Sequence, residues 1–288
     1  MEQFRVGKAR PDEATLDQPR NAGIIPKVNF RWILSGPSKS GKSNLARWCL
    51  DKYYIGKNGR GSFFDRIYLL SPTANIDYNW ADLKGLAKKD RITNPTPKLL
   101  IKILNDQKKD IQGSVSDMGV QLSARALMKR KQKAKKVLVI FDDAIASSMI
   151  TSKEFLKIFI AGRHYGISSM VMTQSYVKVP RSVRLQATHV AMFPSRSTEI
   201  ERLYTEHGPK ELNKNEFTEL VQYATRPDET DKYPFLYVDC FAPVSSRFRR
   251  GLTDTLAIED DGVEAKVEEG DGEYEQDPQP SGKRKRRR

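Results

Sequence analysis

The sequence predicts an α/β protein in which a mostly parallel β-sheet is covered by helices on both faces. Short apolar segments of strand length alternate along the chain with segments of helical periodicity. This alternation is typical of parallel sheets, whose strands are connected by helices that pack on both faces. The chain has 288 residues, of which 38% are hydrophobic, so it can form one large domain or two small ones.

Six segments are predicted to be strands because they are mostly apolar and end near a polar residue or a proline. They lie at residues 28–34, 65–72, 137–143, 167–175, 188–194 and 234–240. Between them we predict helices near residues 44–54, 95–110, 117–136 and 152–164. In the first of these helices Leu45, Trp48, Cys49 and Tyr53 share one side, as in an amphipathic helix.

Composition argues against several classes of protein. No apolar run approaches the roughly 20 residues that a bilayer-spanning helix needs, so we expect no membrane association through such a helix. The first twenty residues contain no apolar h-region, so we expect no secretion signal. Cys49 and Cys240 are the only cysteines. Two lone cysteines make neither a disulfide scaffold nor a zinc site, and they indicate a reducing interior.

The charge of the chain is unevenly distributed. The net charge is +14, yet residues 254–277 contain eleven acidic residues and one lysine, and residues 283–288 read KRKRRR. We therefore predict an irregular arm at 1–26, a folded domain at 27–252, and a disordered acidic tail at 253–288 that ends in a basic cluster. The folded part is strongly basic. This indicates a polyanionic partner, or else only a well-solvated surface.

A phosphate-binding loop is predicted at residues 36–43, where GPSKSGKS matches the pattern GxxxxGK[ST] between a strand and a helix. Its glycines allow the backbone N–H groups to surround phosphates, Lys42 would reach the β- and γ-phosphates of ATP, and the Ser43 hydroxyl would bind Mg²⁺. The alternative is a surface turn rich in Gly and Ser. The predicted nucleotide-binding residues are Gly36, Pro37, Ser38, Lys39, Ser40, Gly41, Lys42, Ser43 and Asn44.

The segment VLVIFDD at 137–143 predicts the acidic part of the same site. An apolar strand that ends in acids places a carboxylate at the edge of the sheet beside the phosphate loop. Asp142 would hold Mg²⁺, and Asp143 would orient and deprotonate the attacking water. Many related ATPases have Glu at the second position, and Asp is one methylene shorter. Alternatively, the two acids only end the strand and cap the next segment of the chain.

Gln174 ends the predicted strand that comes after the acidic strand. The order of the segments suggests that this strand lies between the phosphate-loop strand and the acidic strand. Gln174 would then lie near the γ-phosphate, where an amide can sense that group. Alternatively, Gln174 is a polar residue that faces water at the end of a strand.

Taken together, these motifs resemble the genome-packaging ATPases of double-stranded DNA viruses, in the poxvirus-like branch of the HerA/FtsK superfamily of P-loop NTPases. Similar elements occur in virophage-like and transposon-borne viral ATPases. The arrangement from GRH to Gln174 is the more specific part. The resemblance covers residues 28–245 and rests on GPSKSGKS (36–43), VLVIFDD (137–143), GRHYGIS (162–168), Gln174 and VRLQATHVAMF (183–193).

The resemblance implies a RecA-like ATPase domain that assembles as an oligomeric ring. Such a ring uses ATP and Mg²⁺ to drive double-stranded DNA into a preformed capsid, beside a capsid vertex or portal protein, in the virion or inside the host cell. Arg163 is the first candidate for an arginine finger acting on a neighbouring subunit, or for a sensor in cis. Arg181 and Arg184 are further candidates. Each of these arginines could instead pair with a surface acid.

Two basic segments are candidates for contact with nucleic acid. Residues 121–136 hold seven Lys or Arg and no acid, and at helical spacing they could face a DNA backbone inside a ring. They could equally form a solvated loop before the acidic strand. The terminal KRKRRR favours nuclear import, although a nucleic-acid patch or folding back onto the acidic segment are alternatives.

Other functions remain open from the residues alone. They include a DNA transfer or segregation pump, a GTPase, a nucleotide kinase, and a nucleotide-gated DNA-binding capsid adaptor. A GTPase needs a base-reading motif of the Asn/Thr-Lys-x-Asp type, and the nearest string, NKNE at 213–216, ends in Glu.

Overall fold

A computed structural model describes residues 17–19, 23–56, 59–112, 123–143 and 148–258. Most of the predicted N-terminal arm and the first two residues of the basic segment 121–136 therefore lie outside the described residues. The same holds for the predicted tail from residue 259 onward, including KRKRRR.

The described residues form one nine-stranded sheet with the order β3-β2-β4-β5-β1-β6-β7-β8-β9. Its strands are β1 (Arg31–Ser35), β2 (Arg66–Leu70), β3 (Arg91–Ile92), β4 (Val137–Asp142), β5 (Ile167–Thr173), β6 (His189–Met192), β7 (Leu236–Asp239), β8 (Phe248–Arg250) and β9 (Asp254–Thr255). All neighbouring strands from β3 across to β6 in this order pair in parallel. The predicted mostly parallel α/β sheet is thereby confirmed, and so is the position of β5 between β1 and β4.

Three short strands were not predicted, and the strands beyond β6 add an antiparallel part to the mostly parallel sheet. β7, β8 and β9 pair in antiparallel fashion, and β3, β8 and β9 were not predicted, since strands of two or three residues carry no readable periodicity. β9 also lies beyond residue 252, where the tail was predicted to begin, and Leu256 after it is only 3% exposed. The boundary at 252 is therefore too early.

Helices cover both faces of the sheet. They are α1 (Lys42–Lys52), α2 (Pro97–Gln112), α3 (Ala124–Lys133), α4 (Lys153–Ala161), α5 (Arg181–Arg184), α6 (Ser197–His207), α7 (Lys214–Ala224) and α8 (Val244–Arg247). On one face α1 packs against alternate strand residues such as Leu34 and Ile140. On the other, α2, α4, α6 and α7 pack against the residues between them, such as Ile33 and Val139.

The amphipathic side of α1 is only partly as predicted. Leu45, Cys49 and Tyr53 are buried, whereas Trp48 is 45% exposed. The indole of Trp48 packs edge-on against Tyr53, with 5.2 Å between the ring centroids, and Lys52 Nζ lies 4.7 Å from its ring centre. The helix therefore buries a narrower stripe than its sequence suggests.

Among the described residues, none of the helices combines the length and the apolar character needed to cross a bilayer.

A buried ion pair joins α5 to α6. Arg184 Nε and Nη2 donate to the two carboxylate oxygens of Glu206 at 2.8 and 2.7 Å, and the two side chains are 5% and 2% exposed. The guanidinium also donates to the carbonyls of Val177 and Val179, and the Tyr176 hydroxyl donates to Glu206. Arg184 therefore anchors the segment after β5. The sequence made it a candidate arginine finger, but its side chain is already engaged and is not available for that role.

Removing one member of this pair should destabilise the fold. We expect Glu206→Ala to lower the free energy of unfolding by about 3–5 kcal/mol, because it leaves a buried guanidinium without its carboxylate. Urea unfolding followed by circular dichroism measures this. Glu201→Ala is the matched control, since Glu201 forms an exposed pair with Lys214, and its unfolding midpoint should match that of the wild type. Equal midpoints for all three proteins would contradict the assigned role of the buried pair.

Candidate active site

Three parallel strands bring the predicted site residues to one edge of the sheet. β1, β5 and β4 are adjacent, and their carboxyl ends lie side by side, with Ser35 opposite Thr173 and Asp142 opposite Met172. The Gly36 N–H donates to the carbonyl of Thr173 at 3.1 Å. The phosphate loop, Gln174 and the two acids therefore lie at three neighbouring strand ends.

The backbone of the phosphate loop adopts the conformation that its sequence requires. Lys39 has φ +64° and Gly41 has φ +99°, so the chain passes through left-handed conformations just before α1 begins. A Cβ at Gly36 would lie 2.5 Å from Cβ of Phe193, so the loop has no room for a side chain there. Positive φ at Lys39 and Gly41 alternates with negative φ at Ser40 between them. A backbone that alternates in this way turns successive N–H groups inward and forms an anion-binding concavity.

Lys42 lies in the first turn of α1, over the loop. Its Nζ donates to the carbonyls of Gly36 and Pro37, both at 2.7 Å. Burial lowers the pKa of Lys42, while the negative charges of Asp142 and Asp143 raise it. The lysine is thus close enough to both acids to interact with them electrostatically.

Asp142 is a buried carboxyl group at the end of β4, with 9% of the residue exposed. Burial raises the pKa of Asp142 to about 6; the indole of Trp80 and the charge of Lys42 lower it, and the charges of Asp77 and Asp143 raise it. The Trp80 indole nitrogen is itself buried. Burial disfavours the charged form of this carboxyl group, and a nearby cation stabilises that form.

Asp143 and Gln174 are in direct contact. The Gln174 amide nitrogen donates to the two carboxylate oxygens of Asp143 at 3.2 and 3.0 Å. Asp143 has φ +50°, a left-handed conformation that Asp and Asn tolerate better than other side chains. The residues predicted as general base and as phosphate sensor therefore form one hydrogen-bonded pair, which the sequence reasoning did not predict.

A cleft of about 650 Å³ opens beside the loop and contains charged residues that the sequence reasoning missed. Lys178, Arg196 and Glu199 line it together with Ser38 and Gln174. Glu199 fixes the turn after Gln174 by accepting hydrogen bonds from that turn. Arg196 could have been predicted from its position in the sequence. It follows β6, a strand that pairs with β1, just as Gln174 follows β5.

Arg163 lies away from this group. It belongs to a 3₁₀ turn at Gly162–Tyr165 that leads into the amino end of β5, whereas Gln174 follows the carboxyl end. Seven strand residues at about 3.3 Å each separate the two edges by roughly 20 Å. Arg163 lines a different cleft, of about 430 Å³, together with Arg31 and His189. This position argues against a sensor in cis.

The remaining candidate arginine, Arg181, begins α5 and is exposed.

The residues present fit ATP with Mg²⁺. Ser43 in the first turn of α1 and Asp142 at the end of β4 supply oxygen atoms, which Mg²⁺ prefers, and Mg²⁺ in such sites completes its coordination with phosphates and water. The described residues contain no cluster of three or more His, Cys, Asp or Glu that would hold a metal without the phosphates of a nucleotide.

Comparison with known proteins gives one family match. The sequence model of a family described as "Poxvirus A32 protein" matches residues 24–233. No curated protein sequence matches.

Several solved structures share a limited likeness with this chain. One is the genome packaging NTPase B204 from Sulfolobus turreted icosahedral virus 2 in complex with ATP-gammaS, at 17% identity and a TM-score of 0.43, covering 73% of this chain and 91% of that chain. Another is the conjugation coupling protein TcpA of pCW3 with ATPgS, at 14% identity and a TM-score of 0.48, covering 80% and 61%. A third is the cytoplasmic domain of the Thermomonospora curvata Type VII secretion ATPase EccC, at 14% identity and a TM-score of 0.44, covering 76% and 23%.

The family match carries the assignment, because it extends over well over half of the chain. It includes the phosphate loop, both acids and Gln174, and it agrees with the resemblance found in the motifs. The chain belongs to the poxvirus A32 protein family.

Proposed function

We propose that the protein is an ATP-hydrolysing translocase that packages double-stranded viral DNA into a preformed capsid. The observation that supports this proposal best is the convergence of Lys42, Asp142 and Asp143 at one edge of the sheet, beside a backbone loop shaped for phosphates. The ATPase unit would comprise the nine-stranded sheet and its helices. Membership of the poxvirus A32 family supports the packaging role.

The loop and α1 would bind the phosphates of ATP. The amino end of α1 adjoins the loop, and the N–H groups at a helix amino end favour negative charge. Lys42 would exchange its hydrogen bonds to the Gly36 and Pro37 carbonyls for bonds to the β- and γ-phosphates. Ser43 and Asp142 would hold Mg²⁺, which supplies positive charge that neutralises the phosphates during hydrolysis.

Asp143 and Gln174 would handle the attacking water. Asp143 is exposed, and the Gln174 amide, which lines the cleft, holds its carboxylate through two hydrogen bonds. Asp143 would accept the proton of the water, and Gln174 would contact the γ-phosphate when it is present. Because the two side chains touch each other, the presence of the γ-phosphate would affect the position of the base.

Arg163 would act on the ATP of a neighbouring subunit. Its place at the opposite edge of the sheet suits a group that a ring presents to the next subunit rather than to its own loop. An arginine in that position stabilises charge on the transferring phosphoryl group.

Double-stranded DNA is the proposed polyanionic partner, and α3 is the proposed contact. Arg125, Lys129 and Lys133 on this helix are exposed, and its last turn is basic. Such side chains contact the phosphate backbone independently of sequence. A capsid vertex or portal protein would be the second partner, in the virion or inside the host cell. An import role for KRKRRR remains a proposal on residues outside the structure.

Loss of Lys42 should strongly reduce the proposed activity. We expect Lys42→Ala to lower ATP hydrolysis by about 10²- to 10³-fold, because the variant lacks the charge that stabilises the phosphates in the transition state. Turnover should be measured with and without duplex DNA. Lys210→Ala, which removes an exposed charge between α6 and α7, should hydrolyse ATP at the wild-type rate. Wild-type turnover by Lys42→Ala would contradict the proposed function.

Asp143→Asn should separate binding from hydrolysis. Asn tolerates the backbone at φ +50° but cannot accept the proton, so we expect unchanged ATP affinity and a kcat lower by about 10²- to 10⁴-fold. Titration calorimetry and single-turnover hydrolysis measure the two quantities. Asp110→Asn on the exposed side of α2 is the control, with no change expected in either. Weakened ATP binding in Asp143→Asn at normal kcat would argue against the general base.

The trans role of Arg163 predicts rescue by mixing. Arg163→Ala rings should hydrolyse ATP about 10³- to 10⁵-fold more slowly than the wild type. Adding Lys42→Ala subunits, which have an intact Arg163, should restore part of the turnover. Native mass spectrometry verifies that mixed oligomers form. Absence of rescue at every ratio, with mixed oligomers present, would contradict a trans role.

A further inference from the structure

A loop before β7 places an aromatic side chain beside the phosphate loop. β7 runs antiparallel to β6, and its first residue, Leu236, pairs with Met192 at the carboxyl end of β6. The segment that leads into β7 therefore reaches the same edge of the sheet as the phosphate loop. Tyr233 lies in this segment and is 53% exposed.

Tyr233 lies against the glycine that precedes Lys42 in the phosphate loop. A Cβ placed at Gly41 would lie 3.1 Å from Cβ of Tyr233 and 3.3 Å from its Cγ. Gly41 belongs to the phosphate loop and immediately precedes α1. The Tyr233 ring therefore lies next to the place where the phosphates would bind. About half of Tyr233 stays accessible, so its ring can contact a ligand bound at the loop.

Hydrogen bonds hold the loop that carries Tyr233. The Tyr233 N–H donates to Oδ1 of Asp231 at 2.8 Å. Oδ1 of Asp228 accepts from the N–H groups of Thr230 and Asp231, both at 2.8 Å, and Arg250 on β8 forms an ion pair with Asp228. The backbone that carries Tyr233 is therefore held in place before a ligand arrives, which lowers the entropic cost of binding.

The two sides of the phosphate loop differ in chemistry. Toward β5 and β4 lie Gln174, Asp143 and Asp142, the groups suited to the γ-phosphate. Toward β6 and β7 lie Phe193, which packs on Gly36, and Tyr233, which packs on Gly41. A nucleotide whose γ-phosphate faces the acids would direct its base toward the second side.

We propose that Tyr233 stacks on the nucleobase of the bound nucleoside triphosphate and forms the wall of the base site. This inference rests on the proposed ATPase function and extends it to the base. Stacking uses the face of the base, which purines share, so Tyr233 contributes equally to ATP and GTP and does not itself select between them.

Titration calorimetry on the full chain tests the proposal with three probes, namely Mg-ATP, Mg-GTP and magnesium tripolyphosphate, which has no base. We expect Tyr233→Ala to weaken binding of ATP and of GTP by about 5- to 100-fold. Its affinity for tripolyphosphate should match that of the wild type. Tyr233→Phe keeps the aromatic face and should bind all three probes as the wild type does. Phe241→Ala is the control for loss of an exposed aromatic residue, since Phe241 is 71% exposed and lines the cleft that contains Arg163.

The outcomes separate this inference from the function on which it rests. Unchanged ATP affinity in Tyr233→Ala overturns base stacking and leaves the ATPase proposal standing. An equal loss for ATP and tripolyphosphate also overturns it, because Tyr233 would then act on the phosphate loop. If the wild type binds neither ATP nor tripolyphosphate, the proposed function fails together with the inference.

Discussion

The alignment of three adjacent parallel strands is the constraint on which the rest of the site depends. The backbone hydrogen bonds between β4, β5 and β1 fix a register that brings Asp142, Thr173 and Ser35 to neighbouring strand ends. Slipping one strand by a residue would exchange its two faces, moving buried side chains such as Leu34 and Ile33 to the wrong core layers. The same packing that buries the two hydrophobic cores therefore positions the polar groups at the edge.

The electrostatics of this edge favour a ligand with both positive and negative groups. Asp142 is buried and its pKa is raised, while Lys42 is partly buried and its pKa is lowered. Each group loses hydration on burial, and the Lys42 ammonium group donates to two loop carbonyls. A phosphate bound with a metal cation offers a partner of opposite charge to each of them.

Features that depend on neighbouring residues can be predicted from the sequence, whereas features that depend on contacts between distant parts of the chain cannot. Lys42 and Asp142 follow directly from motifs in which neighbouring residues carry the signal. The antiparallel direction of β7 depends on tertiary pairing, and the exposure of Trp48 depends on what covers α1, so neither follows from local pattern. The contact between Asp143 and Gln174 requires the inserted position of β5 together with a left-handed backbone, and the sequence shows only the first of these.

The left-handed backbone at Asp143 limits which amino acids that position accepts. Gly, Asn and Asp adopt this conformation at the lowest cost, and only Asp among them carries a carboxylate. A glutamate, the acid that many related ATPases have there, would place its longer side chain on an unfavourable backbone. In this chain the left-handed backbone at Asp143 therefore favours the shorter acid, and a glutamate held in the same conformation would add a cost of roughly 1–2 kcal/mol.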